Sequence, residues 1–170
     1  MRPICLLLLL SLAASVRADE TYFTLGLTNS ALDGRPPAGC TLQDASASGT
    51  GGSFGVGYGF GEVLAVEFGY LNLGSLDLTA TCPGPTTVKV VEPDSGLTLS
   101  GAARWRFARQ WSVYGRAGAF SWSKSAQSGT ETLLGVGGDW AFDERYGLRL
   151  EYDDFGNGLT ATTLTLRWNY

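Results

Sequence analysis

Leu164-Thr165-Leu166-Arg167-Trp168-Asn169-Tyr170 ends the chain. Alternation with period two places Leu164, Leu166, Trp168 and Tyr170 on one face of a strand, with Thr163, Thr165, Arg167 and Asn169 on the other. Such a strand fits two architectures: the last edge of a soluble sheet, or the closing strand of a barrel whose apolar face meets lipid. The segments that precede it decide between them.

Working back from that strand, the same alternation recurs at 146–153, 131–142, 111–122, 97–107, 63–71, 53–60 and 21–28, giving eight strands in all. Their lengths are close to the ~9–11 residues that a tilted strand needs to cross a bilayer. The connections alternate too. Residues 61–62, 108–110 and 143–145 are tight turns, whereas 29–52, 72–96, 123–130 and 154–158 are longer and rich in Gly, Pro, Ser, Ala and Asp. Within 72–96, Leu76-Asp77-Leu78 and Val88-Lys89-Val90 have the pattern of a hairpin outside the barrel. Gathering every long loop at one end is characteristic of a membrane barrel and has no counterpart in a soluble sandwich.

The two strand faces differ in chemistry. One carries Gly55, Gly57, Gly59, Gly69, Gly118, Gly135, Gly137 and Gly147. Glycine on a water-facing strand weakens it without return, but it suits the narrow interior of an eight-stranded barrel, which side chains just fill. The other face carries Phe60, Trp105, Phe107, Trp111, Trp140, Phe142, Tyr146, Trp168 and Tyr170, all beside the short turns or the terminus, where an aromatic girdle would meet headgroups. The first strand is the hardest to face, because Tyr22 falls out of phase with Phe23, Leu25 and Leu27. The glycine-bearing face also holds Glu67, Arg104, Arg116, Asp139, Arg149 and Glu151, charges that must pair with one another inside a closed barrel.

At the other end of the chain, Met1-Arg2-Pro3 followed by the apolar run 4–12 and Val16-Arg17-Ala18 reads as a secretory signal over 1–18, leaving a domain over 19–170. The run is too short for a membrane helix. Without Arg2 and Arg17, ten basic residues face sixteen acidic ones, a net charge of −6 that disfavours nucleic acid as a partner. Charged residues make up 16% of the chain, below the ~25% usual for soluble domains. Cys40 and Cys82 remain as an even pair, and export through an oxidising compartment makes a disulfide between the two long loops the expected state, against free thiols or a metal pair. There is no histidine in the sequence, and no metal or other cofactor is expected.

Val66-Glu67-Phe68-Gly69-Tyr70, Tyr114-Gly115-Arg116-Ala117-Gly118, Gly137-Gly138-Asp139-Trp140 and Leu148-Arg149-Leu150-Glu151-Tyr152, together with the C-terminal strand, resemble the strands of OmpA-like outer-membrane barrels. That resemblance implies an all-β, eight-stranded antiparallel up-and-down transmembrane barrel in the bacterial outer membrane. It implies an interior salt-bridge network with members at Glu67, Asp139 and Arg149, and it makes Leu164, Leu166, Trp168 and Tyr170 the signal read by the barrel-assembly machinery. The interior lysine of the family falls near Ala102 here, with Arg104 at the next inward position.

Three functional classes follow. The expected one is a non-enzymatic, monomeric surface barrel in contact with outer-membrane lipid and lipopolysaccharide, with a surface ligand, if any, at loops 29–52 and 72–96. A soluble ligand-binding barrel is the alternative. Lipid A-modifying barrel enzymes rely on an active-site histidine beside a serine, which this sequence lacks; Ser123-Lys124 has no orienting partner, and no catalytic residue is assigned.

Overall fold

The computed structural model describes residues 18–33, 41–42, 46–76, 78–82, 86–90, 93–124 and 127–170. Eleven strands are present among them: β1 (Ala18–Asp33), β2 (Thr41–Leu42), β3 (Ser46–Phe60), β4 (Leu64–Asn72), β5 (Leu78–Cys82), β6 (Thr86–Val90), β7 (Ser95–Arg106), β8 (Trp111–Lys124), β9 (Gln127–Ala141), β10 (Tyr146–Asp154) and β11 (Leu159–Asn169). Eight of them close an antiparallel barrel in the order β1-β11-β10-β9-β8-β7-β4-β3, and β2, β5 and β6 form a separate small sheet. Closure is made by the C-terminal strand, which pairs with β1 from Tyr22 opposite Asn169 to Leu32 opposite Leu159. A last bond from the Tyr170 amide to the Thr21 carbonyl, 2.8 Å, extends that seam.

Alternation sets the facing. Phe23, Leu25, Leu27, Phe54, Leu99, Leu134, Leu150 and Leu166 are all exposed on the outside of the wall. An apolar belt of that extent around a whole barrel is stable only against hydrocarbon. The aromatic girdle lies at the short-turn rim, where Trp111 stacks on Trp140 at 5.7 Å and Trp140 meets Phe142 edge-on at 4.6 Å. At the other rim the belt ends in exposed polar residues: Asn29, Thr50, Asn72, Ser121, Thr132, Asp154 and Thr162. An arginine in place of Leu150, which is 56% exposed and near the middle of the belt, should cost about 2–4 kcal/mol of folding free energy in lipid vesicles. Urea titration of the refolded variant measures it.

Several strands run past that polar boundary, which corrects the expected loop lengths. β1 continues to Asp33 and β3 begins at Ser46, so much of 29–52 is strand; β8 and β9 likewise extend into 123–130. In the second long connection the hairpin pairs Leu78 with Val90 and Cys82 with Thr86, shifted from the expected 76–78 segment. Cys40 lies outside the described residues, and so does the expected Cys40–Cys82 link; the expected signal over 1–18 also lies outside them apart from Ala18, which starts β1.

Candidate functional site

The lumen is the only interior this wall encloses, and its contents change along the axis. β10 shows the order, because every second side chain from Gly147 points inward: Arg149, Glu151 and Asp153, leading to Phe155 just beyond the strand. Four carboxylates (Glu67, Asp139, Glu151, Asp153) and four arginines (Arg104, Arg116, Arg149, Arg167) fill the barrel between the short-turn mouth and an apolar layer at the outer end.

Arg149 is the hub. Its Nη1 donates to Glu67 at 2.6 Å and its Nε to Asp139 at 2.9 Å. Since β10 and β4 lie on opposite sides of the ring of eight, the bond to Glu67 spans the full diameter. The guanidinium lies between two tyrosine rings, 4.3 Å from the centroid of Tyr114 and 5.7 Å from that of Tyr22. Both hydroxyls donate to carboxylates, Tyr22 to Glu67 at 2.5 Å and Tyr114 to Glu151. One step outward, Arg116 grips Asp153 with two parallel bonds of 2.8 and 2.5 Å, and reaches Glu151 at 2.9 Å and Glu67 at 3.6 Å. Toward the short turns, Arg104 approaches Asp139 at 3.4 Å.

The glycines explain how such bulky groups fit. Gly57 stands opposite Tyr22 on one neighbouring strand and opposite Glu67 on the other. Gly137 stands in the same way between Tyr114 and Glu151, and Gly135 between Arg116 and Asp153. In each case two polar side chains meet over the strand that separates them, and a Cβ on the intervening glycine would run into Tyr22 at Gly57, into Tyr114 at Gly137, and into both Arg116 and Asp153 at Gly135. Gly57→Ala should therefore displace the Tyr22 ring and cost about 1–3 kcal/mol by overpacking, measured by urea titration in micelles.

Beyond Asp153 the interior turns apolar. Leu32, Leu71, Phe120, Leu133, Phe155, Leu159 and Ala161 are buried together, with Leu73 and Leu76 folded in from the connection after β4. Phe120 and Phe155 meet at 5.0 Å between centroids. The inserted segment is held by the Leu73 amide on the Asp94 carbonyl, 2.7 Å, and by the Ser30 hydroxyl on the Leu73 carbonyl, 2.5 Å. Gly74 makes its turn with φ of 79°, close against the Thr50 backbone. Beneath this plug is a cavity of about 40 Å³, whose lining includes Thr24, Ser53, Thr98 and Thr165 beside Leu71, with room for a few waters. The lumen is thus filled by ion pairs in its middle and sealed by hydrocarbon at its outer end.

All six charged positions read from the sequence lie in this lumen. Sequence reasoning does not single out four further members: Tyr22 and Tyr114, whose parity with Thr24 and Arg116 places them inward; Asp153, which follows Glu151 at the same two-residue spacing; and Arg167, on the face of the closing strand opposite Leu166 and Trp168. Of that motif, Leu164, Leu166 and Trp168 face outward from β11, and Tyr170 is 88% exposed just past its end.

Residues 4–170 match the family described as the outer membrane protein beta-barrel domain. No curated protein matches the chain by sequence. Among solved structures, the outer membrane protein OprG from Pseudomonas aeruginosa is similar at 12% identity, with 91% of this chain and 98% of that one covered and a TM-score of 0.58. Ail of Yersinia pestis, solved with the heparin analogue sucrose octasulfate, is similar at 13% identity, 91% and 100% coverage and a TM-score of 0.52. Neisserial surface protein A is similar at 14% identity, 88% and 97% coverage and a TM-score of 0.50. These likenesses concern the fold.

Proposed function

The chain belongs to the outer membrane protein β-barrel family and resides in the bacterial outer membrane, and from that premise we propose that it is a closed, non-enzymatic barrel that presents its outer loops and sheet at the cell surface. A soluble ligand-binding barrel is thereby set aside. The observation that carries the proposal is the double closure of the lumen: a guanidinium–carboxylate bond across the full diameter, and above it the apolar plug around Phe120 and Phe155. An eight-stranded barrel filled in this way has no path for a hydrated solute. What remains available for contact is the outer rim, with the β2-β5-β6 sheet.

Charge narrows the partner. Loops 29–52 and 72–96 contain Asp33, Asp44, Asp77, Glu92 and Asp94 against Arg35 and Lys89. Ail was solved with a polysulfated ligand; a net negative rim repels such a polyanion and suits a neutral or basic protein surface instead. The remaining parts of the reading are removal of residues 1–18 on export, a Cys40–Cys82 bond tying the two loops, recognition of Leu164, Leu166, Trp168 and Tyr170 during assembly, and a monomer bathed in phospholipid and lipopolysaccharide.

Planar bilayers test the central point. The refolded protein should give no steady single-channel steps at physiological salt, and it should pass through a heparin column unretained at about 0.15 M ionic strength. Regular conductance steps would overturn the closed-barrel reading, and salt-sensitive retention on heparin would overturn the assignment of the rim.

A further inference from the structure

Two outward glycines have no explanation inside the protein. Lumen glycines such as Gly57, Gly118 and Gly137 are pressed against neighbouring strands or side chains, but a Cβ on Gly101 would meet nothing within 4 Å. One on Gly115 would meet only the Gly135 carbonyl, at an ordinary 3.8 Å. Neither residue has a left-handed φ. Both are exposed on the outer wall, on β7 and β8. Glycine weakens a strand there, and it marks places where a ligand or another backbone comes close.

The two glycines form the floor of a recess. Gly101 stands opposite Ala117, and Ala103 opposite Gly115, so the wall over β7 and β8 is nearly bare at mid-belt. Both rows end in large residues, Val66 and Leu64 on β4 and Leu134 and Val136 on β9. Those walls are three strand spacings apart, about 14 Å. The open cavity between them is about 840 Å³, within the ~300–1,000 Å³ of ligand sites. It runs from Phe60 and Leu64 near the short turns to Tyr152 and Asp154 at the outer boundary. Arg116 borders it too, but its side chain points away into the lumen, to Asp153.

We propose that this recess holds one acyl chain of a phospholipid from the periplasmic leaflet, with its phosphate toward Arg106 and Arg109. Area argues against a second barrel. The floor is roughly 200 Å², a quarter of the ~800 Å² that each partner of a stable protein pair buries. A lipid tail is as apolar as the leucines on either side, and the recess opens onto the belt that already faces hydrocarbon. Charge gives the tail its direction. The exposed Asp154 carboxylate at the outer end repels a phosphate, whereas Arg106 and Arg109 are exposed just past the short-turn end of the floor. Glu62 lies 3.8 Å from Arg106 and offsets only one of the two. Basic residues at that level recognise phospholipid headgroups.

The test titrates the refolded barrel in detergent with palmitoyl-oleoyl phosphatidylglycerol and counts retained lipid by native mass spectrometry. Wild type should keep one phospholipid. Gly101→Leu with Gly115→Leu fills the floor and should weaken retention by about tenfold or more. The same variant should unfold on heating in lipid-free detergent at an equal or higher temperature, since leucine meets open space at both positions. Arg106→Gln with Arg109→Gln should weaken retention about threefold, and Arg145→Gln, in the exposed turn between β9 and β10, should leave it unchanged. Wild-type retention no better than that of the leucine variant would overturn the site. So would pairs of barrels that the leucine variant alone breaks up, a preference for lipid A when both lipids are offered, or retention indifferent to Arg106 and Arg109. Should the leucine variant not fold, Gly101→Ala with Gly115→Ala reads the same loss in smaller measure.

Discussion

Arg149→Met is expected to lower the unfolding free energy of the refolded barrel by about 3–5 kcal/mol. The side chain is 2% exposed and in ionic contact with Glu67, Asp139 and Glu151. Methionine fills much of its volume, so the loss comes from stranding carboxylates without a cation, not from a hole. That distinction is measurable. Glu67→Gln in the Arg149→Met background removes one stranded charge and should recover part of the loss, giving a large coupling energy in a double-mutant cycle. Urea titration followed by tryptophan fluorescence in micelles reads all four proteins. A loss under about 1 kcal/mol, the range of exposed ion pairs, would mean that water reaches the network and that the lumen is open.

Phe120→Ala is expected to cost about 3–5 kcal/mol by the combined loss of burial and a cavity. Its ring is fully buried against Phe155 in the outer plug. This variant also separates the two closures. Thinning the plug leaves Arg149 and Glu67 untouched, so the variant should still give no conductance in a bilayer although it unfolds at lower urea. If single-channel steps appear in Phe120→Ala, the plug alone closes the barrel and the ion pairs are decoration on an open path.

The barrel was legible because each strand inside the belt obeys one rule, apolar out and small or charged in. Phe54, Val56, Tyr58 and Phe60 against Gly55, Gly57 and Gly59 is that rule in seven consecutive residues. Past the polar boundary the rule inverts. In β1, Leu25 and Leu27 point out but Leu32 points in; in β9, Leu134 points out while Leu133 is buried; Phe155 and Leu159 are buried as well. Outside the hydrocarbon the barrel obeys the ordinary logic of a water-soluble protein, with grease inside. Outward apolar residues therefore stop near 28 and 53, where the solvent changes and the strand does not. The lumen charges were visible by parity, and their partners were not. Each glycine-spanned bridge joins residues two strands apart, a distance that depends on register and barrel shear, neither of which a single sequence fixes. Tyr22 stands in the sequence only as a residue out of phase, because an aromatic on the small face breaks the local pattern, although it is the side chain that Gly57 makes room for.

The bond across the full diameter has a consequence for how the protein is made. Glu67 arrives with the third barrel strand and Arg149 with the seventh, and they face one another only when the sheet has curled through a complete turn. A half-built sheet keeps both ions hydrated and gains nothing from their attraction. The reward comes late and all at once, so the chain should pass from unclosed to sealed without a long-lived partial barrel.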